Sequence, residues 1–238
     1  MLKLHTSWSW VDPEFAEEFR ELNKIPETLT PAGPGEVIWQ TRNKYVLRIT
    51  VPDSGRKIVY KTTPKIKRAH QYCHRRSPFG NEAWFYQYFS GLGLPMAKLL
   101  AAGDVRKNFI LKSGFLVTEF VENCRDGRDF CPDGIFVERT DLREEFICKN
   151  LTFLAKLHKM RILHRGSTPA NFLYRLSDDT LEIIWIDVAS CHHVPWLLPL
   201  RSGIKRDLEL LLNPFKLSSE EQQKYMEYYS RQKQSVKL

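Results

Sequence analysis

The sequence predicts an α+β protein with two lobes, a small lobe rich in β-strands that carries one helix and a larger helical lobe. Two observations lead to this prediction. Extended patterns dominate residues 36–122, interrupted by one aromatic-rich helical segment. Helical spacing dominates residues 123–238, and a polar loop with a hairpin interrupts it between 163 and 187. Residues 1–35 are expected to form an N-terminal extension of this single domain.

Turn residues and the alternation of apolar with polar residues predict the first helix and the first two strands. A short helix is predicted over about 13–23. Two strands are predicted over 46–51 and 57–61, because both are rich in β-branched residues and the turn 52–55 separates them. These two strands should form a hairpin.

A helix and two further strands complete the first lobe. Ser77-Pro78 predicts an N-cap followed by a proline at the first helical position, and the aromatic-rich helix should end at Gly91 or Gly93. The last two strands are predicted over 108–112 and 114–121.

The second lobe begins with a long helix. A capping box starting at Asp141 predicts its first turn, and helical spacing continues to Lys159. A hairpin of 172–174 and 181–186 follows, with its turn at 177–179, and the remaining chain reads as helical.

Composition and charge narrow the class of partner. The chain is 42% hydrophobic, as expected for a globular protein, and its formal net charge of +8 favours nucleotide phosphates, nucleic acid or an anionic membrane surface. The five cysteines are scattered and odd in number, which favours a reducing cytoplasm over a disulfide framework. No secretory signal and no run of about 20 apolar residues is visible, so we expect a cytoplasmic protein, at most peripheral on a membrane.

The polar loop of the second lobe carries the most informative motif. His164, Arg165 and Asn171 have the spacing of the kinase catalytic loop H-R-D-x-x-x-x-N, in which the Asp accepts the substrate proton and the Asn binds magnesium. Gly166 stands where that Asp is expected. Asp187 ends a buried apolar strand, as the second magnesium ligand of a kinase does. We therefore predict Asn171 and Asp187 as ligands of Mg²⁺.

A lysine and a glutamate of the first lobe complete this pattern. Kinases hold the α- and β-phosphates with a strand lysine that a glutamate on the next helix orients. Lys61 ends the strand Ile58-Val59-Tyr60-Lys61, and Glu82 lies on the helix after it. Each alone reads as a surface residue, but their order with Asn171 and Asp187 favours a nucleotide site.

Taken together, these motifs resemble the lipopolysaccharide kinases of the Kdo/WaaP type, small relatives of the protein kinases, over residues 36–215. The resemblance rests on Tyr60-Lys61, Asn81–Phe85, Gly91–Pro95, Val117-Thr118-Glu119, His164–Leu173, Trp185-Ile186-Asp187 and Lys205-Arg206-Asp207-Leu208. It implies a protein-kinase-like fold, with Glu119 in the hinge that contacts the nucleotide. It also implies that ATP is the phosphate donor and that Mg²⁺ is required. The acceptor it implies is a sugar hydroxyl of a lipopolysaccharide precursor. Such a precursor is an anionic glycolipid, and the protein would reach it from the cytoplasmic face of the inner membrane.

Departures from the kinase pattern leave the activity open. Besides Gly166, the loop predicted over the phosphates, 39–44, has no glycine, and Asp187 is followed by Val188-Ala189 in place of Phe-Gly. Base assistance contributes about 10²–10⁴-fold to the rate of such reactions. Without the base, one expectation is a slow kinase. The other is an inactive pseudokinase that binds the nucleotide and has a scaffold or regulatory role in envelope biosynthesis. A small-molecule phosphotransferase is a third, which the basic charge disfavours.

Two surface segments have several interpretations. The basic loop 65–76 reads as a solvated loop, as a dock for anionic glycolipid or membrane, or, least well, as an RNA-binding loop, because it lacks interleaved aromatic residues. Nucleic acid is therefore not an expected partner. The apolar segment 194–200 is expected to pack against the second lobe and not to enter lipid.

Overall fold

The computed structural model separates into two compact units. It describes residues 8–24, 29–33, 35–42, 44–63, 66, 69–72, 76–177 and 180–235. The described residues up to Gly91, together with Ala97–Val121, form the first unit. Leu92–Met96 and the described residues from Glu122 onward form the second.

The first unit is built on an antiparallel sheet. Its strands are β1 (Trp8–Val11), β2 (Glu36–Thr41), β3 (Lys44–Thr50), β4 (Lys57–Thr63), β5 (Leu99–Lys107) and β6 (Ile110–Glu119). In the described part of the chain the order is β1-β5-β6-β4-β3-β2. The predicted hairpin is present as β3 and β4. The first strand, from the segment predicted as an extension, pairs with β5.

The sequence does not predict β5, and it divides β6 incorrectly. The first six residues of β5 are all buried, so they show no polar alternation that would mark a strand. Most of the segments 108–112 and 114–121 belongs to the single strand β6, Ile110–Glu119, because Gly114 continues the pairing opposite Asp104. A Cβ at Gly114 would lie 2.4 Å from Phe79 Cδ2, so a glycine is needed where the helix packs closely on this strand.

Two helices flank this sheet. A short 3₁₀ turn at Pro13–Phe15 leads into α1 (Ala16–Lys24), in the region predicted as helical. Helix α2 (Pro78–Gly91) begins as predicted, since Ser77 Oγ accepts a hydrogen bond of 2.8 Å from the backbone N–H of Gly80. Buried aromatic residues of α2 face the sheet, and one buried glutamate, Glu82, lies among them.

The predicted phosphate loop is mostly strand. Trp39, Gln40 and Thr41 pair with Val46, Tyr45 and Lys44 across the β2–β3 hairpin, whose turn begins at Arg42. Asn43 lies outside the described residues. The segment 39–44 is therefore the end of a hairpin with a short turn, and its place over the phosphates stays a prediction.

The second unit is mainly helical. Its helices are α3 (Thr140–Lys159), α4 (Arg201–Leu212) and α5 (Ser219–Ser235). The predicted capping box is wrong. Arg139 is the N-cap residue and makes no side-chain cap bond. The Asp141 carboxylate instead accepts hydrogen bonds of 3.0 and 2.9 Å from the Arg139 guanidinium.

Short strands shape the polar loop of this unit. They are β7 (Arg125–Asp126), β8 (Ile162–Leu163), β9 (Phe172–Ser177), β10 (Thr180–Trp185) and β11 (His192–His193). Strands β9 and β10 form the predicted hairpin, and β8 pairs with β11. The polar loop therefore leaves β8 and returns through β9.

Several predicted surface features lie wholly or partly outside the described residues. These are Lys65, Lys67, Arg68 and Arg75 of the basic loop, and 178–179 of the hairpin turn. Arg76 is described, and its guanidinium lies 4.9 Å from the centre of the Trp84 ring. The segment 194–200 does not pack as expected, because Trp196 and Leu197 are exposed. None of the helices among the described residues combines the length and hydropathy that a membrane-spanning helix needs.

Candidate active site

A buried ion pair joins the sheet and helix α2 of the first unit. Lys61 lies on β4, opposite Leu116 of β6, and its Nζ donates to Glu82 Oε1 at 2.8 Å and Oε2 at 2.9 Å. The two side chains are only 11% and 2% exposed. The predicted contact is present, while its role in holding phosphates stays a prediction.

Burial makes this pair energetically demanding. Removing an ammonium and a carboxylate from water costs several kcal/mol for each ion, which only good geometry offsets. A buried pair of this kind is weak support for stability, because well-packed apolar residues would serve as well. The bidentate geometry instead holds the Lys61 ammonium at one fixed place near the end of β4. A fixed cation is what the binding of phosphate oxygens requires.

Glu119, predicted to contact the nucleotide, ends β6 in the same unit. Its backbone N–H donates to the carbonyl of Lys98 at 2.9 Å. The N–H is therefore used within the protein, and the carbonyl and carboxylate of Glu119 are the groups left to meet a ligand.

In the second unit, the polar loop is anchored on Asp207. This residue of α4 is fully buried, and its carboxylate oxygens accept hydrogen bonds from the backbone N–H of His164 at 2.8 Å and of Arg165 at 2.7 Å. Nε2 of His158 on α3 lies 3.1 Å from the same carboxylate. Burial alone would raise the pKa of Asp207, but the hydrogen bonds from His158 and the two backbone groups lower it below its usual value. An ionised Asp207 thus fixes the start of the loop.

His164, predicted as catalytic, is fully buried, and its catalytic role stays a prediction. Its Nδ1 accepts a hydrogen bond of 3.1 Å from the backbone N–H of Gly166, and its ring meets Trp185 edge-on at 4.9 Å between centroids. Burial lowers the pKa of His164 to about 4. The ring is therefore neutral near pH 7, and its hydrogen bond with Gly166 helps to position the loop.

Ser167 does not replace the missing carboxylate. Its hydroxyl is fully buried and donates to the backbone carbonyl of Asp207 at 2.7 Å. A hydroxyl in this position braces the loop against α4 and cannot reach an acceptor in solvent. Among the residues described here, the loop 164–171 therefore contains no side chain suited to act as the base at the position of Gly166.

Gly166 leaves room for a side chain. Its φ is not among the positive values in this chain, and a Cβ there would lie 3.5 Å from Asn171 Nδ2 and 3.6 Å from His164 Nδ1. These are ordinary van der Waals distances. The absence of a carboxylate is therefore a property of the sequence at this position, and the backbone does not require glycine.

Asn171 and Asp187 are brought together by the backbone. The N–H of Ile186, which precedes Asp187, donates to the carbonyl of Asn171 at 3.1 Å. Nδ2 of Asn171 donates a hydrogen bond of 2.7 Å to the Gly166 carbonyl. The Oδ1 atom of the same amide takes no part in this bond and is the atom that we expect to bind a ligand. An amide oxygen and a carboxylate are suitable ligands for Mg²⁺.

Two residues of this region have left-handed backbone conformations. Arg165 has φ 58° and Asp187 has φ 54°. Such angles are unfavourable for residues other than glycine, and they cluster where the surrounding structure fixes a side chain for function. The hydrogen bond to Asp207 holds Arg165 in place, and the bond through Ile186 holds the chain next to Asp187.

Sequence reasoning missed part of this arrangement. In the sequence, Asp207 stands out only as part of the segment 205–208, and no local pattern marks His158 or Ser167 as supports of the loop. Asp207 binds the loop directly, His158 binds Asp207, and Ser167 binds the backbone of α4. Only the burial of polar residues on apolar helix faces indicates such contacts. Lys61, Glu82 and Glu119 belong to the first unit, and all other predicted site residues belong to the second.

Comparisons with known proteins identify a family and a fold for this chain. A model of the lipopolysaccharide kinase (Kdo/WaaP) family matches residues 55–229. Comparison with curated proteins gave no match. A similar solved structure is WaaP in complex with acyl carrier protein, at 18% identity and a TM-score of 0.64, covering 94% of this chain and 89% of that one. At this identity the likeness shows the fold alone, and it confirms the predicted protein-kinase-like fold.

The family match covers well over half of the chain and supports a function of the sugar-kinase kind. It includes both the Lys61–Glu82 pair and the loop anchored on Asp207. The chain belongs to the lipopolysaccharide kinase (Kdo/WaaP) family.

Proposed function

We propose that this protein transfers the γ-phosphate of ATP to a sugar hydroxyl of a lipopolysaccharide precursor. The observation that carries the proposal is the buried, bidentate Lys61–Glu82 pair, which holds a cation in the way that phosphate binding needs. Because such a pair is costly and adds little stability, a binding role accounts for it better than a structural one.

The residues have distinct roles in this proposal. Lys61 binds oxygens of the α- and β-phosphates, and Glu82 keeps its ammonium in place. Asn171 and Asp187 hold Mg²⁺, which when bound neutralises charge on the phosphates. The described residues contain no group of three or more His, Cys, Asp or Glu side chains that could hold a metal ion. Phosphate oxygens and water would therefore complete the magnesium shell, as is usual for this ion.

The missing base limits the rate in this proposal. The acceptor hydroxyl must lose its proton as its oxygen bonds to the phosphorus and the bond to ADP breaks, and here no carboxylate at position 166 takes that proton. Phosphoryl transfer depends mainly on positioning and charge neutralisation, so a slow reaction remains. The alternative function is that of a pseudokinase, which binds the nucleotide without turnover and serves as a regulatory or scaffold protein.

The acceptor determines where the protein works. A lipopolysaccharide precursor is anchored in the inner membrane and ATP is available on its cytoplasmic side, so we place the reaction there. The net charge of +8 is favourable for an acidic glycolipid acceptor and unfavourable for the cationic substrates of small-molecule kinases.

Calorimetry with ATP, with and without Mg²⁺, tests the nucleotide site. The Asp187→Ala variant should lose the magnesium-dependent part of the ATP affinity, because it removes the only carboxylate of the proposed pair of ligands. Asp133→Ala removes an exposed carboxylate of the same unit and serves as the control. If Asp187→Ala binds Mg-ATP like the wild type while remaining folded, the metal role is wrong.

Transfer of labelled phosphate from ATP to purified lipopolysaccharide then separates the two functions. Incorporation above background identifies a kinase. Mg-ATP binding without incorporation or ATP hydrolysis identifies the pseudokinase.

A further inference from the structure

The segment 194–200 presents large apolar side chains to solvent. Trp196 is 86% exposed, Leu197 97% and Leu198 55%. Single exposed apolar residues are common on protein surfaces, but three consecutive large ones in an ordered turn are not. We call residues Trp196–Leu198 the apolar tip.

The apolar tip is held in place by Arg161. The guanidinium of this residue donates to the carbonyls of Val194 at 3.1 Å, Pro195 at 2.7 Å and Leu198 at 2.6 Å. It also lies 4.8 Å from the centre of the Trp196 ring, and the N–H of Leu198 closes a turn on the carbonyl of Pro195 at 3.0 Å. One arginine thus orders a segment whose side chains point away from the protein. The exposure is therefore a built feature of the segment and not the result of a loose loop.

Cations surround the tip. Trp196 lines a cavity of about 640 Å³ together with Lys159, Arg161 and Lys233. Among the described residues that line this cavity, none is acidic. Helix α4 begins with the exposed Arg201 directly after the segment. Apolar side chains at a tip and positive charge around it are the two parts of a surface that binds an anionic bilayer.

We propose that the apolar tip and the surrounding cations dock this protein on an anionic phospholipid membrane. Trp196 and Leu197 enter the boundary between headgroups and acyl chains, where indole rings are favoured. Lys159 and Lys233 lie against the lipid phosphates. The proposal extends the proposed function by naming the surface that faces the acceptor's membrane, but the docking itself does not require catalysis.

A second copy of this chain is a less suitable partner for this surface. A two-fold contact through the tip would bring Lys159, Arg161 and Lys233 of each copy close to the same cations of the other. Like charges at an interface oppose association, whereas an anionic membrane pairs with them.

Vesicle flotation tests the proposal. Wild-type protein should float with vesicles of phosphatidylcholine and phosphatidylglycerol in equal parts, and much less with phosphatidylcholine alone. Higher salt should weaken the binding, because screening reduces the attraction between the lysines and the lipid phosphates.

Two double variants separate the contributions. Trp196→Ser with Leu197→Ser should weaken binding by about 100-fold, since each large apolar side chain contributes about tenfold or more on burial. Lys159→Gln with Lys233→Gln should weaken it by about 25-fold, because each cation near an anionic surface contributes about fivefold. Ile135→Ser removes an exposed apolar side chain of the same unit and should leave vesicle binding unchanged.

The outcomes are distinct from those that test the kinase function. ATP binding in the absence of vesicles should be the same in all these variants, since none of the changed residues is a proposed nucleotide or metal ligand. Wild-type protein that does not float, or a tip variant that floats as well as the wild type, would overturn the docking proposal. So would self-association in sedimentation experiments that the tip variant abolishes, with no vesicle binding, because the tip would then bind a second copy.

Discussion

Restoring a carboxylate at position 166 is the sharpest perturbation of this site. The Gly166→Asp variant adds a Cβ that meets Asn171 Nδ2 at 3.5 Å and His164 Nδ1 at 3.6 Å, without a clash. Because the φ of Gly166 is not positive, an aspartate adopts this backbone without strain. The new side chain starts beside Asn171, within the loop that Asp207 anchors. The backbone at this position therefore does not require glycine.

The expected gain follows from the value of base assistance. A positioned base contributes about 10²–10⁴-fold to proton transfer from a reacting group, so transfer of phosphate from ATP to the acceptor should rise by on the order of 100-fold or more. The gain should appear only where the carboxylate is ionised, so the rate should fall as the pH drops below about 4 to 5. The assay is incorporation of labelled phosphate into lipopolysaccharide, at saturating Mg-ATP.

Two variants at the same position provide the controls. Gly166→Asn has nearly the same shape as the aspartate but cannot accept the proton as a base, and Gly166→Ala adds the Cβ alone. Neither should gain activity. A gain in Gly166→Asn equal to that of the aspartate would refute the role of the charge. A folded Gly166→Asp protein that binds Mg-ATP and gains nothing would show that the base does not limit the reaction.

Two further predictions concern buried charge. Glu82→Ala should lower the affinity for ATP tenfold or more and the free energy of unfolding by about 3 kcal/mol, because it removes the bidentate partner of the buried Lys61. The neutral, buried His164 should make the protein less stable in mild acid. Since burial lowers its pKa from 6.5 to about 4, its protonation favours the unfolded chain as the pH falls, and the free energy of unfolding should drop by about 2 kcal/mol between pH 7 and 5.

Urea unfolding measures both stability changes. Glu36→Ala, at an exposed position on β2, is the control for Glu82→Ala and should change the stability far less. For the histidine, the His164→Gln variant should lose about 2 kcal/mol of the dependence between pH 7 and 5. Burial also lowers the pKa of His158 and His192, so these two residues retain a dependence of the same sign in the variant. The carboxylate of Asp207 does not contribute in this window, because its lowered pKa places its titration at lower pH. A stability that is flat from pH 7 to 5 in the wild type would contradict the burial argument.

Local spacing in the sequence was sufficient for several features of this protein. Turn residues between β-branched runs predicted the hairpin of β3 and β4, and Ser77-Pro78 predicted the start of α2, because capping and turn chemistry act within a few residues. The kinase pattern also predicted the contact of Lys61 with Glu82, although 21 residues separate them in the chain. Here the order of the kinase motifs along the chain predicted a long-range contact that local residue spacing does not specify.

The tertiary structure alone decided the surroundings of those residues. Asp207 binds the backbone of His164 from 43 residues away, and long-range packing buries the imidazole ring, which lowers its pKa. The space beside Gly166 depends on how the loop 164–171 folds back on itself, and the exposure of Trp196 depends on its contact with Arg161, 35 residues away. Motif spacing determines which chemical groups lie near one another along the chain. Burial, pKa and free volume arise from long-range packing, so only the folded chain determines them.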